Sequence, residues 1–285
     1  MFPEIISARD VRKSIDGFVD HLVTNYADAL NAMSEPFLHV LVWLEKVLRG
    51  APWWSVIIVA VLLAFAASRR VVFSLMMGVL LAMLGVLGLW DAGMQTLSLM
   101  IMATAISIII GIPLGVITAK SNAVRSIMLP ILDVMQTLPS FVYLIPVVML
   151  FGLGKIPAII ATVIYAVPPL IRLTDLGIRL VDREVLEASR AFGASSAQQL
   201  FGVQLPLALP NIMAGINQTT MMALSMVVIA SMIGARGLGY EVLLGINRLE
   251  VGRGLLAGLG IVILAVLFDR ITQSYGKRKN TGGAR

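Results

Sequence analysis

A polar stretch from Glu187 to Pro206 interrupts a chain that otherwise consists of long apolar runs. Its sequence is EASRAFGASSAQQLFGVQLP, in which charged, hydroxyl and amide side chains stand close together. These groups could form hydrogen bonds and ion pairs with another protein. The chain contains neither an HExxH zinc motif nor a GxSxG nucleophile motif. The stretch therefore suits docking to a soluble partner rather than catalysis.

Local patterns predict that segment 182–206, which includes this stretch, folds as two short helices joined at a glycine. Charged residues alternate with a small apolar face in its first part, which indicates an amphipathic helix of about three turns. Gly193 is expected to end that helix, because glycine tolerates the left-handed conformation at a helix C-terminus. Ser195 and Gln198 have the spacing of a capping box for the next helix, which Pro206 and Pro210 are expected to stop. The apolar face of the first helix consists of Val185, Leu186, Ala188, Ser189 and Phe192. A solvated connecting loop is the alternative.

Composition places the rest of the chain in a membrane. Of its 285 residues, 58% are hydrophobic and 13% are charged, and the mean hydropathy is +0.92. In soluble domains about a quarter of the residues are charged, which is well above the fraction in this chain. The sequence therefore indicates an all-α polytopic membrane protein. The absence of cysteine excludes disulfides and thiolate chemistry. The net charge of +6 gives no indication of nucleic-acid binding.

The sequence contains seven apolar segments that approach the roughly 20 residues a membrane-crossing helix needs. They are Trp53 to Ser68, Val71 to Leu89, Gln95 to Ala119, Pro139 to Leu153, Ile156 to Ile171, Ile212 to Gly234 and Leu255 to Ile271. The fourth segment is expected to bend or break, because it contains Pro139 and Pro146. The alternative for these prolines is a kink that only serves packing.

Residues 1–52 form an amino-terminal region of different character. Apolar residues recur at helical spacing between Ile15 and Leu30, with aspartates between them, which predicts an amphipathic helix. A second apolar stretch, Phe37 to Leu48, ends close to Trp53, a residue type that anchors at membrane interfaces. We therefore expect this stretch to lie along the membrane surface. Charged residues precede any apolar run, so no signal peptide is expected. Residues 53–274 then form the membrane domain and residues 275–285 a tail.

The distribution of Lys and Arg predicts the orientation of the chain. If all seven segments cross the membrane, most basic residues beyond the amino-terminal region fall in one set of loops. That set holds Arg69, Arg70, Lys120, Arg125, Arg172, Arg179, Arg183, Arg190, Arg270, Lys277, Arg278, Lys279 and Arg285, and the other holds Lys155, Arg236, Arg248 and Arg253. The positive-inside rule places the first set, with segment 182–206, in the cytoplasm. The carboxyl terminus is thus expected inside and the amino terminus outside, although the basic residues of the latter argue mildly against its export.

A transport path through these segments would be lined by polar and soft side chains, because ionisable residues are almost confined to the segment ends. Ionisable residues inside a membrane often mark proton relays, so their scarcity argues against a proton-driven transporter. The candidate lining residues are Gln136, Tyr143, Asn217, Gln218, Thr219, Thr220, Met221 and Ser225. Ordinary interhelical packing or hydrogen bonding is the alternative role for each.

Segment 182–206 also carries a long motif of a known family. The membrane subunits of bacterial ABC importers have the pattern Glu-Ala-Ala, three residues, Gly, nine residues, Ile-x-Leu-Pro. This chain resembles that pattern at Glu187, Ala188, Ser189, Gly193, Val203, Leu205 and Pro206, with Ser in place of Ala and Val in place of Ile. From about Trp53 to Gln273 it resembles the choline and glycine betaine permeases, through stretches such as MQTLPSFVYLIPVVML and LPNIMAGINQTTMMALSMVVIASMIG. Together with Phe192, the motif residues are the expected contact with an ATPase.

The resemblance implies the type I ABC importer transmembrane fold, in a bacterial inner membrane. Two copies of the chain would form the path, two soluble ATPase subunits would bind segment 182–206, and an extracytoplasmic binding protein would deliver the substrate. ATP and magnesium would belong to the ATPase subunits. The chain itself has no Gly-x-x-x-x-Gly-Lys-Ser/Thr loop, so no cofactor, metal or catalytic residue is expected in it.

The substrate implied by the resemblance is a quaternary ammonium compound. The amino-terminal stretch WLEKVLRGAPWW resembles the choline branch most, so choline is the first expectation. Import of glycine betaine or proline betaine is the alternative. A secondary transporter that works without an ATPase is a further alternative from a different class.

Overall fold

A computed structural model describes residues 7–280, and these residues form helices joined by short connections. The α-helices are α1 Ala8–Gly50, α2 Trp53–Ser68, α3 Val71–Val86, α4 Trp90–Lys120, α5 Asn122–Thr137, α6 Leu144–Phe151, α7 Lys155–Ala166, α8 Pro168–Arg179, α9 Arg183–Ala191, α10 Ser196–Gln199, α11 Leu205–Ile229, α12 Leu238–Asn247 and α13 Val251–Asn280. Short 3-10 turns cover Ser140–Tyr143 and Ala230–Ile233, and a π-helical stretch covers Leu200–Gln204. The all-α prediction is confirmed.

Fewer helices are long enough to cross a membrane than the seven predicted. Among the described residues, four are long and apolar enough, namely Trp90–Lys120, Lys155–Arg179, Ser196–Ile233 and Val251–Ser274. Two bent pairs raise the number to six if each is one span: Asp28–Gly50 with Trp53–Ser68, and Asn122–Thr137 with Ser140–Phe151. The apolar segment that begins at Val71 is a helix of only 16 residues. By length and composition, the described helices thus give four to six spans and one shorter apolar helix, and a seven-fold crossing of the membrane stays a prediction.

A sharp bend lies at the start of the fourth predicted segment, at Pro139, whereas Pro146 lies inside the continuous helix α6. The helices on either side of it, α5 and α6, meet at an angle of 109°. The bend lies at Leu138 and Pro139, where the backbone is extended before the 3-10 turn begins. Proline favours this arrangement because it disfavours helical geometry at the residue before it.

In the described part of the amino-terminal region, Ala8–Gly50 forms one helix rather than two separate stretches. Helix α1 has 43 residues and includes Pro36 within it. Its second half packs against α4, α6 and α7, with Leu41 and Glu45 buried. One face of the stretch from Phe37 to Leu48 therefore contacts protein. Its placement along the membrane surface stays a prediction.

The core is built around α11, which packs against α4, α7, α8 and α13. Glycines bring α4 and α8 close together. A Cβ atom added to Gly115 would lie 2.5 Å from the Cβ of Thr174, and one added to Gly111 would lie 2.9 Å from a side-chain carbon of Leu170. Small residues at such positions allow the close helix contact that membrane bundles need.

Polar contacts define two opposite ends of the bundle. At the first, called the Asp91 end, Arg49 donates to Asp91 at 3.1 Å and Lys155 donates to the Glu45 carboxylate. At the second, called the Asp175 end, Asp175 of α8 pairs with Arg125 of α5. Helix α8 continues from there towards segment 182–206. Arg125, from the first predicted set of basic residues, lies at the Asp175 end, and Lys155, from the second set, lies at the Asp91 end. Which end faces the cytoplasm stays a prediction.

Candidate functional site

The first helix of segment 182–206 forms and ends as its sequence predicts. The Asp182 carboxylate accepts a hydrogen bond from the backbone N–H of Glu184 at 2.9 Å and so caps α9. Gly193 has a φ of +80° and ends the helix, where its N–H donates to the carbonyl of Arg190 at 2.9 Å. This left-handed geometry is the reason that glycine stands there. Helix α9 has nine residues.

The second helix begins with the predicted capping box. The Ser195 hydroxyl accepts from the N–H of Gln198 at 3.3 Å, and the Gln198 side chain accepts from the N–H of Ser195 at 2.8 Å. Two backbone donors at the start of α10 are thus satisfied reciprocally. The connection between α9 and α10 is therefore short and has a defined geometry.

Gln199 holds the two helices together and was not identified from the sequence. Its side chain is buried and donates to the carbonyl of Leu186 at 2.8 Å and to the hydroxyl of Ser189 at 2.9 Å. These contacts join α10 back to α9, so the two helices form one compact elbow. Sequence spacing carries no signal for this contact, because it depends on the angle between the helices.

The prediction that Pro206 and Pro210 stop the second helix is wrong. Helix α10 continues through the π-helical stretch into α11, and the whole run Ser196–Ile233 is long enough to cross a membrane. Pro206 directly follows the π-helical stretch, and such local π adjustments accommodate a proline inside a membrane helix. Pro210 lies inside α11. Proline is tolerated inside membrane helices, because neighbouring helices can satisfy the backbone carbonyl that loses its hydrogen bond. The elbow is thus joined directly to the central helix of the bundle.

The surface of segment 182–206 exposes a large apolar side chain at the elbow. Phe192 is 93% exposed, and Glu187, Ala188 and Gly193 are also exposed. Of the other motif residues, Ser189, Val203 and Leu205 are half-buried and Pro206 is exposed. A phenylalanine with so much of its side chain exposed is a candidate contact for another protein.

A charged cluster fixes the helices that lead into the elbow. The Asp175 carboxylate, 3% exposed, accepts from Arg125 at 3.1 Å and from Arg179 at 2.9 Å. Arg179 also donates to the backbone carbonyl of Thr118 at 3.1 Å. The cluster joins α4, α5 and α8 close to the start of α9. The spacing of Asp175 and Arg179 is visible in the sequence as an i,i+4 pair, but the contribution of Arg125 is not.

The candidate path residues on α11 divide between two faces. Gln218 and Ser225 are exposed and Met221 is half-buried, and their spacing of three and four residues places them on one stripe. The other candidates point towards neighbouring helices. Asn217 donates to Asp269 of α13 at 3.0 Å, while Thr219 and Thr220 are buried.

The remaining two candidates lie at the bend between α5 and α6. Gln136 is exposed at the end of α5. Tyr143 is buried, its hydroxyl donates to the carbonyl of Met135, and its ring meets the ring of Tyr165 at 6.0 Å in an edge-on arrangement. Tyr143 thus braces the bend. The 3-10 turn containing Tyr143 packs against α11, and non-helical backbone at membrane depth is tolerated where it is buried in protein or lines a cavity.

In the described part of the chain, no three His, Asp or Glu side chains lie close enough together to hold a metal ion. The site therefore consists of an elbow for contact, a charged cluster behind it, and a bend beside the polar stripe of α11. Movement of the elbow would move both α8 and α11. This is the architecture of a membrane permease subunit.

Comparison with known proteins gives the family. Residues 111–281 match the family described as "Binding-protein-dependent transport system inner membrane component", and the chain belongs to it. It is therefore an inner-membrane protein of a bacterial ABC transport system. The chain is 48% identical over 267 residues to the glycine betaine/proline betaine transport system permease protein ProW of Escherichia coli, across 94% of this chain and 75% of that one.

Two further relatives and one solved structure are similar. The glycine betaine transport system permease protein OpuAB of Bacillus subtilis is 43% identical over 273 residues, across 94% of this chain and 95% of that one. The choline transport system permease protein OpuBB of the same organism is 34% identical over 177 residues, across 62% of this chain and 82% of that one. An inward-facing structure of the MetNI methionine ABC transporter matches with a TM-score of 0.56 and 23% identity, across 67% of this chain and 93% of that one. That likeness confirms the type I importer fold.

Proposed function

We propose that this chain is the permease subunit of an ATP-driven importer that carries glycine betaine or proline betaine into the cytoplasm. The observation that carries the proposal is the 48% identity to the Escherichia coli permease named for these two compounds. The relative named for choline is 34% identical over a shorter stretch. Choline, the first expectation from the sequence, is therefore the second candidate.

The proposed assembly contains two copies of this chain, two ATPase subunits and an extracytoplasmic binding protein. The ATPase subunits would hold ATP and magnesium and bind segment 182–206 on the cytoplasmic side, with the carboxyl terminus inside and the amino terminus outside. Support comes from the exposed Phe192 and from the helix pair that Gln199 makes compact. Residues 1–52, 53–274 and 275–285 would be the amino-terminal region, the membrane domain and the tail.

In the proposed mechanism, ATP closes the two ATPase subunits, and each elbow moves with the subunit that it contacts. The movement passes into α8 and α11, which flank the elbow in the chain. Because the Asp175 cluster ties α8 to α4 and α5, these helices tilt together and access changes sides. ATP can drive this change only through its different affinity for the two states.

The proposed path runs along the stripe of Gln218, Met221 and Ser225, beside the bend that exposes Gln136. These groups are uncharged, so a substrate with a quaternary ammonium group would meet amide and hydroxyl dipoles and a polarisable sulfur. None of them would hold an ammonium group as tightly as a fixed carboxylate. Selectivity would then reside mainly in the binding protein.

The proposal is tested by uptake into liposomes that contain this chain, its cognate ATPase and its binding protein. We expect uptake of radiolabelled glycine betaine that requires internal ATP, with lower uptake of choline under the same conditions. Liposomes with this chain alone are the control and should show no uptake. Gradient-driven uptake by the chain alone would favour a secondary transporter and contradict the proposal.

A further inference from the structure

A cleft of about 250 Å³ lies between α1, α4 and α7 and has no role in the proposed transport cycle. Its walls are apolar: Phe37 from α1, Ile106 and Ile110 from α4, and Ile156 and Ile160 from α7. The cleft is half open to the outside of the bundle. At membrane depth that outside is lipid rather than water, so the cleft suits a hydrocarbon chain.

A charged pocket of about 450 Å³ lies at the Asp91 end of the same three helices. It is lined by Lys46, Arg49 and Lys155 with the carboxylates of Glu45 and Asp91. Lys155 pairs with Glu45, and Arg49 pairs with Asp91 and with Glu45. Lys46 is exposed and forms no ion pair with any described residue. The three basic groups exceed the two acidic groups, so the pocket attracts an anion.

The pocket and the cleft are lined by the same three helices, and the pocket lies nearer the Asp91 end. Lys155 of the pocket precedes Ile156 of the cleft, and Glu45 follows Phe37 by eight residues on α1. Eight helical residues rise about 12 Å, and one leaflet of the hydrocarbon core is about 15 Å thick. Along α1 and α7, the charged pocket therefore neighbours the apolar cleft.

We propose that the pocket and the cleft together bind one membrane phospholipid, with an acyl chain in the cleft and the phosphate among Lys46, Arg49 and Lys155. A lipid phosphate forms charge-assisted hydrogen bonds with Lys and Arg side chains. A helix from a second copy of the chain would also cover an apolar cleft. The charged pocket beside the cleft has more basic than acidic groups. This favours a phospholipid over a second copy of the chain, because the lipid phosphate would neutralise the excess positive charge.

The experiment compares two neighbouring isoleucines of α4. Ile110 lines the cleft, whereas Ile109 is more exposed and does not line it. We would purify the intact transporter in detergent and count retained phospholipids by native mass spectrometry. The wild type should retain one phospholipid per permease chain that Ile110→Trp loses, and Ile109→Trp should retain it. Equal retention in the two variants would overturn the proposal.

A second pair of variants tests the head group. With added phosphatidylglycerol, Lys46→Gln should lower retention several-fold, because it removes the unpaired basic group of the pocket. Lys120→Gln, a change of the same kind at the opposite end of α4, should leave retention unchanged. If neither variant changes retention, the lipid is held as an adventitious additive only, and the head-group site is refuted.

A third measurement distinguishes a second copy of the chain. Because the chain contains no cysteine, Ile110→Cys introduces a single thiol. Bifunctional crosslinking in membranes should give no dimer through this position. Efficient dimer formation would show that a second copy covers the cleft and would overturn the phospholipid proposal. None of these readouts depends on transport activity, so they remain informative if the proposed substrate is wrong.

Discussion

Replacement of Asp175 by Asn tests the charged cluster behind the elbow. The carboxylate is 3% exposed and accepts one hydrogen bond from each of two arginines. Asn keeps the shape and one acceptor oxygen, but it presents an amide N–H₂ to the other guanidinium. One charge-assisted hydrogen bond is lost, which contributes roughly 1.5–3 kcal/mol.

Solvent exposure lowers that figure. The side chains of Arg125 and Arg179 are 40% and 28% exposed, so each regains water when its partner is lost. We therefore expect the stability to fall by about 2 kcal/mol. A domain of 150–250 residues shifts by about 2–4 °C per kcal/mol, which gives a decrease of about 4–8 °C in Tm.

The assay is thermal unfolding of the purified transporter in detergent, followed by ATP-driven uptake in liposomes. Asp133→Asn is the matched control, because Asp133 pairs with Arg172 but is 63% exposed. This control should change the stability by less than about 1 kcal/mol. Asp175→Asn should also lower uptake, because the contact of α8 with Arg125 of α5 would be weaker. If the two variants unfold at the same temperature, the cluster does not stabilise these helices.

Three further changes test the elbow and the close packing of α4. Gly193→Ala should cost about 1–2 kcal/mol locally and reduce uptake and stimulated ATPase activity, because alanine is strained at the positive φ of this position. Gly202→Ala, at a position where φ is not positive, should have little effect. Equal uptake by the two variants would argue against the elbow geometry. Gln199→Ala should speed hydrogen exchange of α9 amides several-fold while the exchange of α13 is unchanged, and unchanged α9 exchange would contradict the bracing role of this amide. Gly115→Ala should lower the Tm by several degrees, since its Cβ would lie 2.5 Å from a neighbouring side chain, whereas Gly258→Ala meets nothing within 4 Å. The packing argument is wrong if these two alanine variants unfold alike.

The elbow could be predicted from the sequence because the forces that form it are local. A cap at Asp182, a glycine at position 193 and the pair Ser195 and Gln198 each act within a few residues. The error at Pro206 has the same origin. The rule that proline stops a helix ignores context, and Pro206 follows a π-helical stretch within a continuous helical run, where proline is tolerated.

The sequence did not separate the faces of α11, because the helices of the core are apolar or polar on several faces. Sequence alone placed Asn217 and Gln218 in the same candidate set, although they are neighbours that point in different directions. The structure separates them: Asn217 donates to Asp269, and Gln218 is exposed. Contacts such as that of Arg125 with Asp175 join residues 50 positions apart, and no local pattern reports them.

The central claim is that segment 182–206 faces the cytoplasm and contacts a nucleotide-hydrolysing subunit. Since the chain has no cysteine, Phe192→Cys places a single thiol at the most exposed point of the elbow. A membrane-impermeant maleimide should label it in inverted vesicles but not in spheroplasts with the intact membrane, and the ATPase subunit should block the reaction. Labelling from the periplasmic side, or labelling that the ATPase subunit leaves unchanged, would contradict the account.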